Sequence, residues 1–339
     1  MQELKIADTL IYPGEKKRIN LKVAKLYDLT QMEIPVQVIR GKLDGPVLFV
    51  SAAVHGDEIN GVEIIGKLLK HPSLSKIRGT LIAVPIVNIF GFNAKSRYLP
   101  DRRDLNRSFP GTQKGSLAAQ IANTFMEEVV SKCTHGIDLH SAATHRDNLA
   151  QIRVALSDHP DLKRMAYSFG APVIIDSKAA EGTLRAAVKD KLAYMVFEGG
   201  RPLRFEPHIT KAGLDGILSV MTELGMLPKV IKAKKRIKSA LANSTYWLRA
   251  PESGILHTKK KLGQEVKVNE VLGYLTDAFG ERHQNITASK PGIIIGESIL
   301  PLYNQGDAIY HIACFDNVRA VHEKVSSFII DEDYYTSGA

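Results

Sequence analysis

The chain of 339 residues contains two cysteines and one tryptophan. Cys133 and Cys314 lie far apart and form neither a metal-type nor a redox spacing. That excludes a disulfide framework and makes a reducing compartment the default. Long apolar runs are also missing. No stretch approaches the roughly 20 apolar residues of a membrane helix. Met1 to Gly14 has no basic segment leading into an apolar one, so it does not read as a secretory signal. The expectation is a cytoplasmic protein with no membrane partner. Acidic residues are in deficit, 36 against 45 Lys plus Arg, for a net charge of +9. Six of those excess charges fall in the single run Lys229 to Lys238. A nucleic-acid binder spreads its charge along a face or groove. No nucleic-acid partner is therefore expected, and the run reads as a solvated linker.

What is present is globular in character. The chain is 44% hydrophobic and 24% charged, which excludes intrinsic disorder, and its length allows two or three domains around a large core. Ile19, Leu21, Val23 and then Ile34, Val36, Val38 alternate with polar residues, as strands do. The run from Pro46 to Val54 is apolar throughout, like a strand buried on both faces. Ile59, Val62, Ile65 and Leu69 then fall at helical spacing. Strands are expected at Thr80 to Val87, Gly136 to His140, Pro172 to Asp176 and Ala193 to Phe197. Helices are expected at Ser116 to Lys132, Leu162 to Phe169, Thr183 to Asp190 and Lys211 to Leu224. This alternation predicts an α/β fold with a mixed, mostly parallel sheet flanked by helices. From Thr245 to Ala313 the pattern changes to short β runs punctuated by glycine, predicting a small all-β C-terminal domain. The expected division is a catalytic domain over 1–230, a basic linker over 231–243, a β-barrel or hammerhead-like domain over 244–322 and a tail over 323–339.

The residues that carry chemistry sit where strands end, the edge at which open α/β sheets gather functional groups. His55-Gly-Asp-Glu58 lies between a buried strand and a helix, and His140 ends another strand. Two imidazoles and one carboxylate make a three-ligand zinc site with a position left for water. The pattern HxxE is weak alone, because a single His near a strand end is more often a hydrogen-bonded structural residue. Phe197-Glu198-Gly199-Gly200 places a second carboxylate at the same edge. Glu198 is there either as a capping or surface group or as a general base beside a metal-bound water. The loop from Ser96 to Gly111 carries Arg97, Arg102, Arg103 and Arg107 with Asn106. Arginine forks match carboxylates, although Asp101 and Asp104 are equally placed to pair with these arginines.

Taken in order, His55-Gly-Asp-Glu58, Arg97-Tyr98, Asp104-Leu-Asn-Arg107, Asp138-Leu-His140 and Phe197-Glu198-Gly-Gly200 resemble the succinylglutamate desuccinylase/aspartoacylase family, a branch of the zinc carboxypeptidase-like fold. The resemblance covers most of residues 40 to 225. It implies zinc held by His55, Glu58 and His140, and Glu198 as general base and later acid. It implies Arg97 as the group that polarises the scissile carbonyl, with Arg102 or Arg103 as alternatives. Asn106 and Arg107, with Arg103 beside them, are the implied binders of a substrate carboxylate. Asp138 or Asp57 is the candidate to orient a ligating imidazole.

The implied activity is hydrolysis of the amide of an N-acyl amino acid or related amine, the attacking metal-bound water being activated by Glu198. A metallocarboxypeptidase, peptide amidase or esterase on the same zinc site is the alternative. The expected partner is a small molecule bearing a carboxylate. A carrier function for the β domain is disfavoured. No lysine stands in an Asp-Lys-Ala or Met-Lys-Met setting, and Lys290 precedes Pro291-Gly292. That domain is expected to shield the site or to build a homo-oligomer interface.

Overall fold

The computed structural model describes residues 3–229, 238–281 and 283–336. Most of the basic run, residues 230–237, lies outside the described residues, as does the greater part of the expected linker. Val47–Ala52 shows why the centre of the fold forms. Leu48, Val50 and Ala52 enter one apolar layer, while Phe49 enters the other. A strand alternates its side chains between faces, so an unbroken apolar run is stable only where both faces are covered.

One face is covered by the helices Asn60–Leu68, Leu162–Phe169 and Pro207–Glu223. The other is covered by Leu117–Glu128 and by the N-terminal strands. Helix Leu117–Glu128 begins where the Ser116 side chain accepts from Ala119 N, and it buries Ala118, Ile121, Ala122 and Phe125. Helix Asn60–Leu68 buries Gly61, Ile64, Ile65 and Leu68, one residue round from the face its apolar spacing predicts. The reason is Gly61. A Cβ there would stand 2.6 Å from that of Ala52, so the absent side chain is what lets the helix lie down on the sheet.

The main sheet among the described residues has 13 strands. Its centre is parallel, in the order Ala193–Gly200, His135–His140, Val47–Ala52, Thr80–Val84. The hairpin Lys16–Lys25 and Gln31–Arg40 adds antiparallel strands on one side. On the other side runs Arg146–Val154, antiparallel to Ala193–Gly200. Gly292–Ser298, Ala308–Cys314 and Ser244–Arg249 then continue the same sheet. Chain segments from the C-terminal β region are thus hydrogen-bonded to the catalytic strands. A separate four-stranded sheet, with Gly254–Thr258 and Val271–Thr276 at its centre, lies beyond them. Val318–Thr336, expected in part as a tail, is helical. No described helix is long and apolar enough to cross a membrane.

Where Arg146–Val154 meets Gly292–Ser298, two carboxylates face each other: Asp147 pairs with Glu297 across the strands. Arg201 Nε bonds Asp147 at 2.7 Å. Burial, then the Asp147 charge, pushes the Glu297 carboxyl up to about 7 from an ordinary value of 4.5. The folded protein therefore binds this proton more tightly than the unfolded chain. The resulting stability is complete below about 4.5 and is lost as pH rises through about 7. Replacing Glu297 with Gln is expected to flatten the melting temperature across that window. Thermal denaturation of both proteins from pH 4.5 to 8 measures it, and parallel profiles would contradict it.

Candidate active site

The parallel strands deliver their functional residues to one edge. Val47–Ala52 runs into Ala53-Val54-His55, with Ala53 in the left-handed region at φ 51°, and the turn leads to Glu58 before the helix starts. His140 is the last residue of its strand, and Glu198 stands directly beside it in the parallel register. Among the described residues, one group of His, Cys, Asp and Glu side chains brings three ligand atoms within 4.8 Å of one another: His55, Glu58 and His140, all buried.

Glu58 is the hub. Its Oε1 lies 2.7 Å from His55 Nδ1 and its Oε2 2.7 Å from His140 Nδ1. The far nitrogens of both rings meet carboxylates, His55 Nε2 to Asp104 at 3.2 Å and His140 Nε2 to Asp138 at 2.8 Å. Asp138 also accepts from Ser51 Oγ and Tyr194 OH. A carboxylate behind each imidazole fixes ring and tautomer in metal sites, so this donor set fits a zinc ion with both Nδ1 atoms and Glu58 as ligands. Of the two candidates to orient an imidazole, Asp138 makes the contact. Asp57 instead accepts from Thr144 Oγ1. Asp104 as the partner of His55 has a sequence signal only in hindsight, since it lies 49 residues away.

The charges follow from this packing. Burial opposes charge on Glu58, but the His55 and His140 imidazoles outweigh it and hold the carboxyl well below the usual range. Burial likewise opposes charge on His140, yet Asp138 and Glu58 raise it well above an ordinary histidine, a proton that a metal ion on Nδ1 would displace. His55 is raised in the same way, against burial, by Glu58 and Asp104.

Arg97 reaches this group. Its Nη1 lies 3.3 Å from Glu58 Oε1, and its Nη2 and Nε bind Asp104 at 2.8 and 3.1 Å. Arg102 and Arg103 do not reach it. Both are exposed, and Arg103 pairs with Asp101 at 3.7 Å. The pairing of loop arginines with Asp101 and Asp104 is therefore present, and in Arg97 it coexists with a place beside the ligands. Asn106 turns its carboxamide oxygen to Leu184 N at 3.0 Å. Arg107 is exposed and donates to Asn106 O at 2.6 Å.

Two groups escaped sequence reasoning. Asn106 accepts from the first amide of the short helix Leu184–Ala187, which is capped by Thr183 and carries Arg185. Arg185 is largely buried within electrostatic range of Tyr194, Arg153 and Glu198, and its Nη1 has no hydrogen-bond partner. The second group is strand Arg146–Val154. Asn148 Nδ2 donates to Glu198 Oε2 at 3.0 Å, and Arg153 Nε stands 3.0 Å from Glu198 Oε1. The arginine contact is an ion pair without linear hydrogen-bond alignment.

Two histidines, a glutamate between them, a loop arginine and a second glutamate gather at one end of the parallel strands and define an α/β protein with a candidate metal site. The catalytic-domain profile of succinylglutamate desuccinylase/aspartoacylase matches residues 44–224, and the chain belongs to that family. It is 26% identical over 295 residues, 83% of this chain and 85% of the other, to the N-alpha-acetyl-L-2,4-diaminobutyric acid deacetylase of Halomonas elongata. Its fold is similar to the product-bound ectoine utilization protein EutE (DoeB) from Ruegeria pomeroyi. The TM-score is 0.81 and the identity 21%, over 92% of this chain and 99% of that one. The succinylglutamate desuccinylase/aspartoacylase of Rhodobacter sphaeroides gives a TM-score of 0.77 at 22% identity, over 87% and 95%.

Proposed function

We propose that this protein is a zinc-dependent hydrolase that removes the acyl group from an N-acyl amino acid or related N-acylated amine. The observation that carries the reading is the convergence of His55, Glu58 and His140, with Glu198 on the neighbouring strand in register with His140. Zinc held by those three residues would supply Lewis-acid polarisation and a lowered water pKa. The chain's own groups do the rest. Glu198 takes a proton from the attacking water and returns it to the leaving amine. Arg97, fixed by Asp104, presents its guanidinium to the scissile carbonyl and to the oxyanion that develops there.

Substrate binding falls to the loop that carries Asn106 and Arg107, joined by Arg185. A buried guanidinium nitrogen without an acceptor is unfavourable, and a substrate carboxylate would satisfy it. Arg103, exposed and turned to Asp101, is left out of this role. The deacetylase activity for which the Halomonas relative is named supports including an N-acetylated diamino acid among the substrates tested.

The test is amine release from a panel of N-acetyl and N-succinyl amino acids, including Nα-acetyl-diaminobutyrate, with and without a chelator. Zinc is quantified on the same sample. The expected result is about one zinc per chain and chelator-sensitive release. Zinc without release would redirect the search to peptides or esters, and its absence would overturn the zinc reading.

A further inference from the structure

We propose that Asn148 and Arg153 are positioning residues for Glu198, and that an empty notch at Gly296, on a strand from the C-terminal β region, is what lets Asn148 take that role. The inference rests on the reading of Glu198 as the base. Each oxygen of Glu198 is engaged from the same neighbouring strand, Oε2 by Asn148 Nδ2 and Oε1 by Arg153 Nε. A carboxylate has about four acceptor sites, so two contacts fix its plane and leave a lone pair on each oxygen to take a proton from an attacking water.

The strand is built irregularly for this. Glu198 pairs with Gln151, but Gly200 pairs with Asn148 rather than Leu149. One extra residue on the Arg146–Val154 side is a β-bulge, a device that re-aims side chains next to active sites. Leu149 and Ala150 are both buried in apolar clusters, while Asn148 is turned toward Glu198. On its other edge Asn148 faces Gly296 across the strands, and Gly296 in turn faces His311. A Cβ on Gly296 would stand 2.8 Å from Asn148 Oδ1 and 3.3 Å from His311 Cβ. Any side chain there would push the carboxamide from its place. His311, stacked on Trp247 at 4.3 Å, adds no competing cation. Burial, then Arg153 and Arg146, push it down to about 3. The C-terminal strand thereby acts on Glu198 through one side chain.

The experiment compares Asn148→Ala, Gly296→Ala, their double variant, Arg153→Ala and Arg153→Lys with the native enzyme. The substrate is the one turned over fastest in the panel above, and kcat, KM, bound zinc and melting temperature are measured. Asn148→Ala is expected to lower kcat roughly 10–100-fold, the scale of a misplaced reacting group, with KM, zinc and melting temperature unchanged. Arg153→Lys should recover most of what Arg153→Ala loses. The double variant should be no worse than Asn148→Ala, because Gly296 acts through that residue. In the crystal structure of Asn148→Ala, the Glu198 carboxylate should have turned from its native plane. Native kcat in Asn148→Ala, a double variant showing the product of both defects, or an unmoved Glu198 overturns the proposal. Should Gly296→Ala fail to fold, the Asn148 and Arg153 variants still decide it. Full turnover by Glu198→Gln would instead remove the base reading itself, a different result from an inert Glu198→Gln with native Asn148→Ala.

Discussion

Replacing Glu198 with Gln is expected to lower kcat by about 10²–10⁴-fold, the usual contribution of a general base, while the protein keeps its zinc. The substitution preserves shape and leaves an acceptor for Asn148 Nδ2, which now stands 3.0 Å from Oε2. It removes the capacity to take and return a proton and, with the charge, the ion pair to Arg153 Nε at 3.0 Å. The metal should stay because its three candidate ligands lie on other segments, at the ends of Val47–Ala52 and His135–His140. Steady-state kinetics and metal analysis on one preparation measure both quantities. Unchanged turnover would show that the proton goes elsewhere.

Replacing His140 with Ala is expected to do the opposite to the metal. One of the three candidate ligands disappears, and zinc content should fall together with activity. The fold should suffer as well. Asp138 is 0% exposed and Glu58 2% exposed, and His140 stands between them at 2.8 and 2.7 Å. Without that ring two buried carboxylates lose a shared hydrogen-bond partner. Leaving a buried charge without its partner destabilises by about 3–5 kcal/mol. Ser51 and Tyr194 still donate to Asp138, which places the expected loss toward the lower end. Denaturant unfolding and zinc analysis read the two effects. Native zinc content in His140→Ala would exclude it as a ligand. The pair of variants separates roles: one keeps the metal and the fold and loses the proton acceptor, the other loses the site.

Legibility in the sequence followed the hydrophobic pattern. Val47–Ala52, Thr80–Val84, Leu162–Phe169 and Val173–Asp176 are where periodicity places them, because each buries an apolar face that the sequence must spell out. Arg146–Val154 was not legible. Its residues Arg146, Asn148, Gln151 and Arg153 break the apolar alternation, and two of them engage Glu198. Functional sites are where local patterning is expected to fail. Val318–Thr336 was expected in part as a tail, although Val318, Val321, Val325, Phe328 and Ile329 pack against the core at helical spacing.

By itself the sequence determined the class of chemistry. His55, Glu58, His140 and Glu198 stand at strand ends because buried strands and their turns are written in local composition, and local composition is all that periodicity needs. Only the tertiary structure decided which arginine faces the candidate ligands, which aspartate stands behind each imidazole and what grips Glu198. Arg97 and Arg103 look alike in a polar loop, and the packing of that loop against His55 and Asp104 separates them. Asp104 meets His55 across 49 positions and Asn148 meets Glu198 across 50. Such contacts are fixed by strand register, a β-bulge and the missing side chain at Gly296, and none of these has a period that can be read along the chain.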